Sequence, residues 1–163
     1  MSVVLLSVFP IALFAAALSD LKSMTIPNWM VGFLAVCFLP FALTAGLSPT
    51  AVGMHVLTGG AVLTVTFCCF AAGWMGGGDA KLIAAAAVWL GPTPALLSFA
   101  IWTSLLGGVL TLAFLLARAC LSPTTGLASV DRLLHADTGI PYGVAIGGAG
   151  LIMTPSLLAA LPV

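Results

Sequence analysis

Gly73-Trp74-Met75-Gly76-Gly77-Gly78-Asp79-Ala80-Lys81-Leu82 is the stretch on which the reading of this chain turns. A glycine run ends in a carboxylate, and apolar sequence long enough to cross a membrane lies beside it. Holding an ionisable group at or near hydrocarbon depth is costly, so such a residue is a functional-site candidate by default. Asp20 repeats the pattern at the end of the first apolar run, and these two are the carboxylates that precede Asp131. Two such residues suggest an aspartyl dyad.

Composition supports that setting. The chain is 62% hydrophobic and 5% charged, with a mean hydropathy of +1.29, whereas about a quarter of the residues in a soluble domain are charged. It reads as an integral membrane protein, one domain over 1–163, with room for about five to seven spans of roughly 20 residues. Net charge is zero, and no basic patch points to nucleic acid. Cys37, Cys68, Cys69 and Cys120 have no C-x-x-C spacing, so they read as small apolar packing residues rather than zinc ligands or a disulfide framework. The first 20 residues look like a signal peptide but lack Lys or Arg ahead of the apolar run, and they are expected to stay as an uncleaved helix.

Breaks at charges and Gly-Pro clusters divide the chain into six apolar segments, 3–20, 27–45, 51–72, 79–90, 95–118 and 140–161. The expected fold is therefore an all-α membrane protein with six transmembrane helices. Numbered in order, the first, third and fifth connections share one face. Lys22, Lys81, Arg118 and Arg132 all fall there, as do Asp20, Asp79, Asp131 and Asp137. By the positive-inside rule that face is cytoplasmic, which puts both termini outside. The fourth segment, ~18 Å long at 1.5 Å per residue, is too short for a full crossing. Either the bilayer thins there, or residues 73–78 continue into the membrane shielded by protein. Both options put Asp79 at or slightly below the cytoplasmic surface.

Other features have plain explanations. Trp29, Trp74 and Trp89 lie near helix ends, as an aromatic belt requires. Pro10, Pro40 and Pro155 read as kinks accommodated by neighbouring helices. Gly107-Gly108 and Gly147-Gly148-Ala149-Gly150 permit close helix packing. His55 and His135 read as solvated polar residues near the outer face and in the long cytoplasmic connection.

Asp20 ends the first helix and Asp79 begins the fourth on the same face, so folding would bring their carboxyls together around one water. Two adjacent carboxylates do not both ionise cheaply. A shared proton lets one act as base toward water while the other protonates or polarises a peptide carbonyl. That is aspartic protease chemistry, with neither metal nor cofactor. The preceding glycines would allow close approach of a substrate backbone; equally, they form a flexible turn capped by Asp79.

Specific motifs extend this. Gly76-x-Gly78-Asp79 followed by Lys81-Leu82 resembles the GxGD signature of membrane-embedded aspartic proteases. Asp20-Leu-Lys-Ser-Met-Thr-Ile26-Pro27-Asn28 resembles the first-aspartate motif of type IV prepilin peptidases, and Ile140-Pro141-Tyr142-Gly143-Val-Ala-Ile146 is similar to the segment opening their last helix. The resemblance implies the GxGD protease fold and an inner-membrane endopeptidase that removes the short leader of prepilins on the cytoplasmic side. Asp20 and Asp79 would be its catalytic pair, supported by Gly76, Gly78, Lys81, Pro27, Asn28, Pro141, Tyr142 and Gly143. Larger bifunctional members also methylate the new N-terminus, through an extra cytoplasmic region with paired cysteines. This chain has only residues 21–26 at that place, which speaks against methyl transfer and for the compact Tad/Flp-pilus branch. Archaeal preflagellin peptidases share the motif and are not separated by spacing.

Helix dipoles suggest roles within the pair. Asp79 at a helix N-terminus would be the base, and Asp20 near a helix C-terminus the proton donor. Lys22 and Lys81, each two residues from an aspartate, blur that assignment. They either meet an acidic group on the substrate or anchor helices at the surface. The 119–139 connection reads as a loop or a short amphipathic surface helix, a linker or a gate to the site. The rival reading is a small proton- or cation-coupled transporter using the same two aspartates. It would want polar residues spread through the helices and repeated halves. A noncatalytic subunit of a pilus or secretion assembly is the third.

Overall fold

The computed structural model describes residues 2–121, 124, 126, 128–135 and 137–159. Its helices are α1 (Ser2–Leu6), α2 (Val8–Ser23), α3 (Asn28–Thr44), α4 (Pro49–Ala71), α5 (Gly77–Leu90), α6 (Pro94–Cys120), α7 (Ala128–Leu134) and α8 (Gly143–Ala159). Each expected apolar segment corresponds to a long helix, with α1 and α2 together making the first. Positions 160–161 of the last segment lie outside the described residues, as do 122, 123, 125, 127 and 136 of the long connection.

Local chemistry sets the helix ends. Met24, left-handed at φ 54°, stops α2, and its N–H returns to the Asp20 carbonyl at 2.7 Å. Pro27 sits at the N-cap of α3 in extended conformation. At the start of α4 the Ser48 hydroxyl accepts the Ala51 N–H at 3.2 Å and Pro49 takes the first turn, where a missing N–H loses nothing. Pro94 plays the same part for α6.

Among the described residues, three stretches are long and apolar enough to cross a membrane, Val4–Ser23, Pro49–Ala71 and Pro94–Cys120; Asn28–Thr44 and Gly143–Ala159 are shorter apolar helices. At 14 residues, α5 is ~21 Å long, short of the ~30 Å hydrocarbon core. It is the helix the others enclose, packing against α3, α4 and α8. Leu82, the Ala84–Ala87 run, Trp89 and Leu90 are buried along it. α8 lies on α2, where a Cβ at Gly147 would stand 2.9 Å from the Ala17 Cβ and 3.0 Å from the Leu13 carbonyl oxygen. This close approach is the packing that the glycine cluster predicts. By contrast α4 and α6 are 11% buried over their apolar windows, and they lean on α5 and α8 respectively.

Two expectations change here. Trp89 is not part of a surface belt: it is 1% exposed, its indole N–H donates to the Leu34 carbonyl at 2.8 Å, and Phe9, Phe38 and Phe41 surround it. Trp29 and Trp74 are exposed, as expected. His55 is not simply solvated, because its Nδ1 lies 2.8 Å from the Val88 carbonyl and its ring stacks on Phe38. In both cases an apolar ring at a helix end found a protein partner. A lone sequence cannot distinguish that partner from lipid or water.

Candidate active site

Asp79 stands in the first turn of α5, behind an N-cap at Gly76. Asp20 lies one turn before the end of α2. Both side chains are buried, and both line one cavity of about 240 Å³ together with Met24, Thr25, Ile26 and the Gly76–Gly78 backbone.

The two are held differently. Asp20 Oδ2 accepts the Gly143 N–H at 2.7 Å, so a residue of α2 satisfies one of the free amides at the start of α8. Side-chain space at Gly143 is nil: a Cβ there would lie 2.8 Å from the Asp20 Cβ and 2.9 Å from its Oδ2. Asp79 keeps Oδ2 near Gly76, where a Cβ would approach it to 2.8 Å, while its buried Oδ1 has no hydrogen-bond partner among the described residues. Burying a polar atom without a partner costs about 1–3 kcal/mol, which marks Oδ1 as an atom waiting for a ligand or water.

This geometry removes the basis for assigning base and acid by helix dipole. Asp20 does lie in the last turn of α2, but its carboxyl also caps the N-terminus of α8. The two helix ends act on it with opposite sign, so the asymmetry expected from α2 alone is absent.

The supporting residues divide. Gly78 faces Ile26, whose Cβ would lie 3.2 Å from an added Cβ, so the glycine lets the α2–α3 connection close over α5. Pro141 is fully buried. The Tyr142 hydroxyl shares a hydrogen bond with Thr111 Oγ1 at 2.9 Å. Lys81 Nζ donates to Asn28 Oδ1 at 3.0 Å, which ties the two motifs together at the rim, but neither residue lines the aspartate cavity. Sequence reasoning missed Thr66, whose hydroxyl lies within hydrogen-bond distance of the Val62 carbonyl of its own helix at 2.9 Å and of the Ala80 carbonyl at 3.1 Å, so α4 meets the first turn of α5 through it. A hydroxyl inside a long apolar helix was the available signal, but most such hydroxyls bond only their own helix.

From Asp79 a second, larger hollow of about 580 Å³ runs between α5, α6 and α8, lined by apolar residues and by Thr103, Ser104, Thr111 and Tyr142. Thr103 Oγ1 is buried there without a partner. Asp79 thus lines both hollows, whereas Asp20 lines only the smaller one; a carboxyl pair with one member facing an apolar groove is an arrangement suited to hydrolysing a bond in an apolar peptide.

Neither the curated proteins nor the solved structures give a match to this chain. The sequence pattern of the type IV leader peptidase family matches residues 7–112, a range that contains both aspartates and the Pro27-Asn28 and Gly76–Gly78 pieces, while the 140–146 segment lies beyond it. With the match covering most of the chain, and both buried aspartates inside it lining one cavity, the protein belongs to the type IV leader peptidase family.

Proposed function

We propose that this family member is a membrane-embedded aspartic endopeptidase that cuts the N-terminal leader from Flp-type prepilins at the cytoplasmic face of the inner membrane. One observation carries the reading: two buried carboxyls far apart in sequence line a single cavity, and one of them, Asp79, also lines an apolar groove. Asp20 and Asp79 are the catalytic pair. One carboxylate takes a proton from water as its oxygen attacks the scissile carbonyl, and the partner carboxylic acid gives its proton to the carbonyl oxygen. The gem-diol then collapses: the newly protonated carboxyl gives its proton to the leaving nitrogen while the partner carboxylate takes one from a gem-diol hydroxyl, so the C–N bond breaks and the shared proton is restored. That Asp79 Oδ1 has no partner among the described residues supports it as the oxygen that binds this water.

The groove between α5, α6 and α8 suits an apolar substrate helix arriving sideways from lipid. The sparse burial of α4 and α6 leaves their flanks open for that approach. Orientation follows from the basic residues. Lys81 reaches Asn28, Arg132 reaches the Leu21 carbonyl and Arg118 reaches the Gly139 carbonyl, so these gather at the aspartate end, as the positive-inside rule asks of a cytoplasmic end. Gly76 and Gly78 admit backbone close to the pair, and Pro141, Tyr142 and Gly143 support it from α8.

The test is co-expression with a Flp-type prepilin, comparing wild type, Asp20→Asn and Asp79→Asn by the mass of the pilin product. Loss of cleavage in either inserted variant is the expected result. Cleavage retained in both would end the dyad assignment.

A further inference from the structure

Arg118 ends α6 on the far side of the connection from Asp20, yet a continuous set of contacts joins the two. Its Nε donates to the Leu133 carbonyl at 3.0 Å, and one Nη donates to the carbonyls of Thr138 at 2.7 Å and Gly139 at 3.1 Å. The guanidinium also lies 5.7 Å from the centroid of the Phe114 ring on its own helix, which limits its swing. A planar fork of five donors is suited to collecting several carbonyls at once; a lysine ammonium is a single point on a flexible stem.

Leu133 belongs to α7, and Thr138 and Gly139 belong to the residues that lead into α8. Thr138 is held a second time, through its hydroxyl to the Arg132 carbonyl at 2.7 Å, and Arg132 itself donates to the Leu21 carbonyl at 2.9 Å. Beyond Gly139 the chain turns tightly, with the Tyr142 N–H on the Ile140 carbonyl at 2.9 Å and Pro141 buried. The next amide, Gly143 N–H, is the one that holds Asp20 Oδ2. The first turn of a helix frays unless the segment before it is tied down, and here Arg118 provides that tie.

We infer that Arg118 is a positioning residue for Asp20: by clamping the carbonyls of Leu133, Thr138 and Gly139 it presents the Gly143 N–H that orients the carboxyl. This rests on the reading above that Asp20 belongs to the catalytic pair, but its structural half is testable without turnover. Arg118 acts on Asp20 through other residues and touches no substrate.

The experiment compares full-length wild type, Arg118→Ala and Arg118→Lys in lipid nanodiscs, by hydrogen exchange of the peptide covering 140–146 and by kcat and KM on a Flp-type prepilin. In Arg118→Ala that peptide should exchange roughly tenfold faster while peptides of α2 and α5 are unchanged. The kcat should fall by roughly tenfold, the size of one lost charge-assisted hydrogen bond, with KM within about twofold. Arg118→Lys keeps the charge at the membrane surface but loses the fork, so it should show a smaller loss in the same direction. A lysine variant identical to wild type in exchange and kcat would reduce Arg118 to a surface anchor and overturn the inference. So would a fall in kcat with unchanged exchange. Should the alanine variant fail to fold, the lysine variant decides. Should even wild type fail to cut the prepilin, the functional reading is what fails, and the exchange comparison still decides the role of Arg118.

Discussion

At the Trp89 end of α5, three phenylalanine rings stand with centroids 5.0 to 6.0 Å from the indole, and the indole N–H is satisfied by Leu34. At the Asp79 end, about 15 Å away along the same helix, a buried carboxyl oxygen has no partner among the described residues and a cavity stands open beside it. The first end has the filled, paired interior that stabilises a fold. The second violates both rules, as sites of chemistry do, because a site already satisfied by protein has nothing left with which to bind substrate. If Asp79 acts as proposed, stability and function are separated along one short helix, and substitutions at the two ends should fail in different ways.

The sharpest break in the comparison is Asp79→Asn. It should lower prepilin cleavage by about 10²–10⁴-fold, the usual worth of acid–base catalysis, and leave thermal unfolding in detergent unchanged or slightly raised. A clear loss of stability with retained cleavage would reverse the roles of the two ends. Trp89→Ala is the complement. Removing the ring the others pack on should destabilise by about 3–5 kcal/mol, read as a drop in melting temperature, while the folded fraction keeps its kcat.

Gly143→Ala tests whether the aspartate end depends on one glycine. A methyl inside 3 Å of Asp20 must displace the carboxyl or the start of α8, so cleavage should fall by roughly tenfold to a hundredfold with little change in melting. Normal cleavage by a folded Gly143→Ala protein would mean that the Asp20 contact does not govern chemistry. Smallest is Tyr142→Phe, which removes the 2.9 Å bond to Thr111 at about 1 kcal/mol. A change of about fivefold or less in kcat/KM is expected, and a total loss would promote the hydroxyl to a catalytic group.

How far the sequence could be read varies with the kind of residue. The helices were legible because apolar length and Gly-Pro breaks are local properties, and the Ser48-Pro49 and Thr93-Pro94 starts are written in adjacent residues. The connection at 119–139 was left open between loop and surface helix; α7 occupies Ala128–Leu134, and its role became visible only through the arginine contacts on either side. Trp89 and His55 were misjudged because a ring at a helix end looks the same whether lipid, water or three phenylalanines wait for it. Cys68 and Cys120 are exposed rather than packed inside, for the same reason: hydropathy reports that a residue avoids water, not which apolar neighbour it meets.

Sequence alone determined that the chain is helical and apolar enough for a membrane, that two aspartates stand out against that background, and which motif pieces surround them. Those properties depend on residue type and spacing along the chain. Tertiary structure decided that the two aspartates share a cavity, that Gly143 from α8 holds one of them while the other keeps an unpaired oxygen, and that Arg118 fixes the segment between. Each of these is a meeting of residues distant in the chain, set by how helices with almost uniformly apolar surfaces rotate and pack. Where every face is apolar, periodicity carries no instruction about which face turns inward, so only the packed structure could supply it.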